Sequence, residues 1–290
     1  MSAVDARSFY RLAGEHCEAL IVRTPAGLVA VPTRDDVIGE RTFVDGAFEA
    51  QTTAAALALL RRETRGDLAG RDVLEVGANI GTQSLAFVRD LGARRVIALE
   101  PAPATAALLR ATIAANALGD RIEVVMAAAS DVDGVVAMEL NPSNCGDYRV
   151  RTGDAGGGMG EQAWETVAVP ARRLDDLVRD GTVDVAALGL VWMDAQGHEG
   201  QILAGASRIL DAGVPTVSEF WPYGLRRAQG FDTFCEIVAS RYRRAFDLRA
   251  GSDGVAREID PRDLRSLARE YEPPSVASVD VGFTDLVLLP

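Results

Sequence analysis

VLEVGANIG, residues Val73–Gly81, runs from apolar and acidic residues into a glycine-bearing turn, and an apolar helix-like run, Ser84–Val88, follows. This reads as a strand, a tight loop and a helix start. At such a junction the backbone N–H groups are free, and glycine lets a ligand approach closely. A second strand, RVIALE (Arg95–Glu100), ends on a carboxylate. One carboxylate can bind both vicinal hydroxyls of a ribose. Together the two segments point to a nucleoside cofactor at the carboxyl ends of parallel strands.

The dinucleotide fingerprint is G-x-G-x-x-G. Here Gly77 and Gly81 have three residues between them, and no P-loop lysine follows. The strand entering the loop carries Glu75, whose charge repels a pyrophosphate and suits a cation. S-adenosylmethionine fits, with a sulfonium, an ammonium, a ribose and no phosphate. The bland alternative is a strand–turn–helix that serves only as scaffold. The joint presence of Glu75, Gly77, Gly81 and Glu100 weighs against it.

At 290 residues the chain is long enough for one large α/β domain or two small ones, and 48% hydrophobic residues support a sizeable core. A net charge of −12 argues against nucleic acid and against an anionic membrane surface. The Arg-rich segments Arg61–Arg65, Arg241–Arg244 and Arg257–Arg265 are interleaved with acids or apolar residues and read as solvated helix faces. Cys17, Cys145 and Cys235 are odd in number and far apart, without metal-ligand spacing. They suggest a reduced, cytoplasmic setting. There is no basic-then-apolar leader pattern, and runs such as Val185–Met193 are too short to span a bilayer.

The pattern outside the first loop extends the same fold. Residues 1–50 read as an extension, with short β-like runs Ala19–Val22 and Leu28–Val31 joined by a turn, then a short helix within Asp35–Gly46. Residues 51–290 form the main domain. It begins with the helix Thr52–Arg62, for which Thr52 or Thr53 is a plausible N-cap. Strands Asp72–Val76, Arg95–Leu99 and Arg121–Met126 then alternate with helices Thr82–Asp90 and Pro103–Asn116. This alternation predicts a parallel sheet with right-handed crossovers. Val135–Leu140 and Trp164–Pro170 read as added strands, Leu174–Val178 as a short helix. Strands Leu188–Met193, Val214–Glu219, Arg244–Leu248 and Phe283–Leu289 follow, with helices His198–Leu210 and Phe231–Tyr242. The second half continues the same sheet. The expected fold is α/β, Rossmann-like and doubly wound, with seven mostly parallel strands. Residues 141–165, including GDAGGGMG (Gly153–Gly160), read as a flexible, lid-like insertion.

In such a sheet ligands bind where strand order reverses. If the first and fourth core strands are neighbours, Glu75 and Asp194 face one crevice, with Glu100 a strand away and Glu219 at the fifth strand's tip. Unpaired acids in a cleft repel one another, and a sulfonium among them relieves this. Methyl transfer to oxygen needs an oriented acceptor and a base. His198, at a helix start that disfavours imidazolium, is the candidate base, its plainer reading being a capping or core histidine. Asp194 is either an N-cap or an orienting carboxylate.

VLEVGANIGTQSLA (Val73–Ala86), VIALEP (Val96–Pro101), AAASDVDG (Ala127–Gly134), LDDL (Leu174–Leu177) and MDAQGHEGQILAG (Met193–Gly205) resemble the FkbM-type methyltransferase family over about Glu40–Glu219. The resemblance implies a class I, S-adenosylmethionine-dependent fold. It also implies O-methylation of a sugar, polyketide or similar small metabolite. Carried over, Gly77, Ala78, Asn79 and Gly81 wrap the methionine portion, with Glu75 near its ammonium. Glu100, followed by Pro101, holds the ribose, and Ser130 and Asp131 lie near the adenine. Asp194, with Glu199 one turn on, shapes the acceptor side. Glu75 stands where the family commonly has Asp, and Gln196 where many members have Glu. The Gly153–Gly160 insertion is not a family hallmark.

The expectation is therefore a methyltransferase acting on a small-molecule hydroxyl, with no metal, no nucleic acid and no membrane partner. A homodimer is an allowed assembly. The alternatives are an NAD-linked oxidoreductase, which the missing third glycine opposes, and a non-catalytic adaptor, which the complete cofactor loop opposes.

Overall fold

Continuous apolar runs make strands covered on both faces. In Asp72–Val76 and Leu188–Met193 every residue is buried, and the two strands pair in parallel at the centre of the molecule. The computed structural model describes residues 5–64, 68–153, 157–249, 256–272 and 282–290. The end of the Arg61–Arg65 run and residues 154–156 of the glycine-rich stretch lie outside the described residues.

The chain opens with α1 (Ala6–Ala13), β1 (Ala19–Thr24), β2 (Gly27–Pro32), α2 (Ile38–Asp45) and α3 (Ala50–Glu63). Then come β3 (Asp72–Val76), α4 (Thr82–Ala86), β4 (Arg95–Leu99), α5 (Pro103–Ala115) and β5 (Ile122–Val125). Next are β6 (Ala128–Ser130), β7 (Gly134–Leu140), β8 (Arg149–Val150), β9 (Glu165–Arg173) and α6 (Leu174–Arg179). They lead to β10 (Leu188–Met193), α7 (Glu199–Ala204), α8 (Ser207–Asp211), β11 (Thr216–Phe220), α9 (Pro222–Arg227) and α10 (Phe231–Arg241). The chain ends with β12 (Arg244–Asp247), β13 (Arg257–Ile259), α11 (Leu264–Leu267) and β14 (Thr284–Leu289).

The main sheet has the order β13-β12-β14-β11-β10-β3-β4-β5. Strands β5, β4, β3, β10 and β11 are parallel, and β14 runs antiparallel between β11 and β12. This is the expected Rossmann-like, doubly wound sheet, with eight strands among the described residues rather than seven. The addition, β13, is a three-residue edge strand too short to leave a periodic signal. Alternate residues of each strand feed two cores. Leu74, Val76, Met193 and Leu286 pack against α6, α7 and α10 on one face. Val73, Trp192, Val217 and Val287 pack against α3 and α5 on the other.

Four expectations fail for physical reasons. The added strands β7 and β9 do not continue the main sheet. They form a second sheet, β6-β9-β7-β8. The first residues of β7 are exposed, which a doubly covered sheet does not allow. The helix expected over His198–Leu210 breaks into α7 and α8. Gly205 O accepts from Asp175 N, and a Cβ at Gly205 would come 2.2 Å from Ser130 O. The carboxylate of Asp175 then accepts from Arg208 N and restarts the helix. Over Phe87–Leu91 the helix expected to end near Asp90 widens into a π turn. Neither Thr52 nor Thr53 caps α3, because Glu49 takes the N-cap position in a left-handed conformation (φ 52°).

The hairpin β1–β2 is stitched to α5, with Ala30 N donating to Thr112 Oγ1 and Leu28 N to Asn116 Oδ1. Tyr10 of α1, a helix capped by Asp5, donates its hydroxyl to Pro32 O and accepts from Asp35 N. These bonds bring α2 and the turn before α3 over the carboxyl ends of the parallel strands.

Candidate functional site

Between β3 and β10 the strand order reverses, and a cavity of about 960 Å³ opens at their carboxyl ends. Its floor includes Gly77, Asn79, Glu100, Pro101, Asp194 and His198. The second sheet and residues 141–150 supply one wall, and α2 with the turn before α3 another. Of the other residues expected at the site, Glu75, Ala78, Gly81, Ser130 and Asp131 do not border this cavity.

The loop after β3 is rigid for a local reason. Gly77 has φ 87°, and a Cβ there would lie 1.8 Å from Asp194 O. Gly77 N and Ala78 N both donate to Leu99 O, and Gly81 N to Ala78 O. Asn79, left-handed at φ 48°, donates its N–H to Glu100 Oε2 at 2.9 Å. The expectation of free amides therefore fails at these four residues. The reason is that Leu99 O, the Glu100 carboxylate and the loop's own Ala78 O consume them.

Glu100 is held on both oxygens, since Ala102 N donates to Oε1 at 2.9 Å. It is 5% exposed, and burial pushes its carboxyl up to about 7. Glu75 points to the α3 face of the sheet, behind the loop. Its Oε2 accepts from Ser84 Oγ, its Oε1 is buried without a partner, and burial pushes it up to about 8. Glu199 also lies behind the cavity, with Oε1 accepting from Ala195 N at 2.8 Å. That bond, rather than any cap by Asp194, closes the turn before α7.

Asp194 accepts from Gln196 Nε2 at 2.7 Å, and the same amide stands 3.4 Å from each oxygen of Glu219. Gln196 thus separates two carboxylates, where an acid would add a third. Burial pushes Asp194 up to about 6 and Glu219 well above its ordinary range. Glu49 and Asp285 complete the group, pushed up to about 8 and about 7 by burial. The sequence reading missed both. Asp285 carried a signal, an acid inside the apolar run of the last strand.

His198 is a poor base. Ser130 Oγ donates to Asp131 Oδ1, so the 3.0 Å contact with His198 Nε2 needs the histidine proton. The lone pair is then on Nδ1, which is buried without a partner. Burial lowers the ring to about 4. Cys145 is half-buried in the wall, and burial pushes its thiol up, so it is no nucleophile.

A further group that the sequence did not signal anchors the wall. Arg149, 2% exposed, pairs with Asp147 and Glu161 and lies between the rings of Trp164 and Trp221. Arg227 of α9 pairs with Glu139. Among the described residues no group of three or more His, Cys, Asp or Glu is placed to hold a metal, and no helix is long and apolar enough to cross a membrane.

Over 149 residues the chain is 28% identical to the 2-O-methyltransferase NoeI of Sinorhizobium fredii. The match covers 48% of this chain and 58% of NoeI, so the chain spans little more than half of that relative's length. Among solved structures it is similar to an O-methyltransferase from Bacillus cereus in complex with SAH. That likeness has a TM-score of 0.42 and 17% identity, covering 83% of this chain and 82% of that one. An SAH-bound methyltransferase from Podospora anserina gives a TM-score of 0.42 at 12% identity, covering 85% and 81%. The methyltransferase FkbM domain model matches residues 75–248, more than half of the sequence and the whole span from Glu75 through Asp194 to Glu219. The chain belongs to the FkbM methyltransferase family.

Proposed function

We propose that the protein transfers the methyl group of S-adenosylmethionine to a hydroxyl of a small metabolite. The observation that carries this reading is the cavity's charge chemistry at the strand reversal. Buried carboxylates line it, and the loop amides of Gly77, Ala78, Asn79 and Gly81 are already bonded. That set fits a cationic nucleoside without phosphate. The clamped Glu100 fits it as well.

When bound, the cofactor supplies an electrophilic methyl group. Glu100, fixed by two N–H groups, holds the ribose hydroxyls. The Gly77–Gly81 loop takes the methionine portion, with Glu75 behind it. Ser130 and Asp131 stand behind the cavity lining on the adenine side, where His198 holds Ser130. Asp194 accepts the hydroxyl proton. A carboxylate raised to about 6 is ionised at neutral pH and is a stronger base than an ordinary one. Glu219 faces the same space. The net charge of −12 and three free thiols support a cytoplasmic enzyme with a small-molecule partner rather than nucleic acid or membrane. A homodimer is open to test by light scattering.

Calorimetric titration with S-adenosylmethionine, alongside a thermal-shift measurement, tests the reading. Saturable heat and a raised melting temperature are expected. Absence of both removes it.

A further inference from the structure

Across β10 from Glu100, the cavity carries chemistry that the cofactor does not use. Glu219 and Asp285 are register partners on the antiparallel strands β11 and β14. Like charges directly opposite one another destabilise a sheet, so the fold alone does not account for the pair. Glu49 and Asp194 border the same space. Among the described residues none of the four forms a salt bridge. Asp194 and Glu219 share the Gln196 amide, and Glu49 accepts from Gln83 at 3.3 Å. Arg41 and Arg249 also border the cavity, and Arg249 donates to Phe283 O at 2.7 Å.

Trp221 adds an independent observation. Its side chain is 5% exposed and borders the cavity. The indole N–H is its one donor, and it has no hydrogen-bond partner among the described residues. That edge faces Gly282, where an added Cβ would lie 3.6 Å from Nε1, next to the cavity-lining Phe283–Asp285. The N–H is open to a ligand oxygen at the cavity edge.

Resting on the methyl-transfer reading, we propose that the acceptor is a cationic polyol, a hydroxyl compound with a protonated amine, such as an amino sugar or aminocyclitol. Glu219 and Asp285 hold its ammonium. Trp221 Nε1 donates to one of its oxygens, and the hydroxyl to be methylated lies toward Asp194. A neutral polyol would forgo the ion pair that these acids can make, and a phosphorylated one would be repelled.

The test uses protein saturated with S-adenosylhomocysteine, so the cofactor's own ammonium is already in place. Glucosamine, N-acetylglucosamine, glucose and glucosamine 6-phosphate are titrated calorimetrically, together with 2-deoxystreptamine and its N-acetylated form. The free amines are expected to bind about ten-fold tighter than their acetylated partners, and the phosphate to bind more weakly. Glu219→Gln and Asp285→Asn should each reduce amine affinity about five-fold while S-adenosylhomocysteine affinity stays within about two-fold. Trp221→Phe, which keeps a ring and loses the N–H, should weaken amine and acetylated forms alike. Equal affinity for both forms, a preference for the neutral or anionic member, or no free amine binding below about 10 mM overturns the proposal while the cofactor reading stands. Failure of S-adenosylhomocysteine to bind overturns both.

Discussion

Glu100 shows how much one side chain does here. Its two oxygens each accept a backbone N–H, one from the preceding loop and one from the following turn. Glu100→Ala should raise the dissociation constant for S-adenosylmethionine about 10- to 100-fold, measured by calorimetry, because bonds to a charged group are lost. Asp194 and His198 divide on their surroundings. Asp194, raised to about 6, is protonated and inactive as a base in acid, so kcat/KM should rise with pH through about 6. Asp194→Asn should remove that limb and lower turnover about 10²- to 10⁴-fold. His198→Ala should leave the limb in place, since its ring is neutral down to about 4. Glu75, Glu100 and Asp194 were legible because each is an acid at or next to the end of an apolar strand. Glu49 and Trp221 were not, because the turn before α3 and the start of α9 reach the cavity only through tertiary packing.

Among elements, the loop after β3 and the wall after β7 depend on contacts of opposite kinds. The loop depends on an absence of side chain. Gly77→Ala would drive a methyl group into Asp194 O at a left-handed φ, where neither backbone can retreat without breaking the β3–β10 pairing. We expect this variant to lose cofactor affinity and about 1–3 kcal/mol of stability, read from urea unfolding. The wall depends on charge. Arg149→Ala would take the nearest cation from Asp147 and Glu161, both buried, and should cost about 3–5 kcal/mol in the same measurement. Strand periodicity made β3, β4 and β10 legible to the residue. No sequence pattern announces that an arginine in a polar stretch is 2% exposed, because its partners come from Glu161 and two tryptophans far along the chain.

For the whole molecule, a parallel central sheet followed from strand–helix alternation and the crossover rule, but the neighbouring of β3 and β10 did not. The second sheet did not, because periodicity gives a strand's faces and not its neighbours. The collected carboxyls also set a global property. Glu75, Glu100, Glu199 and Asp285 are held up to between about 7 and about 8 in the folded chain. The unfolded chain releases those protons near the ordinary carboxylate range. The folded state therefore binds more protons across this window, and stability falls as pH rises from about 5 to about 8. His198 works in the opposite sense below about 6.5, because its folded ring resists protonation. Several carboxyls outweigh one imidazole. The unliganded protein should melt at a higher temperature at pH 5 than at pH 8, and scanning calorimetry giving a flat or rising trend would contradict this.

The guanidinium of Arg149 lies between two of the chain's three tryptophans, one on the segment that walls the cavity and one on its floor. Indole emission responds to a cation against its face. The molecule therefore carries a built-in optical gauge: any movement of that segment, or any guest settling beside Trp221, will register as a change in intrinsic fluorescence without a label.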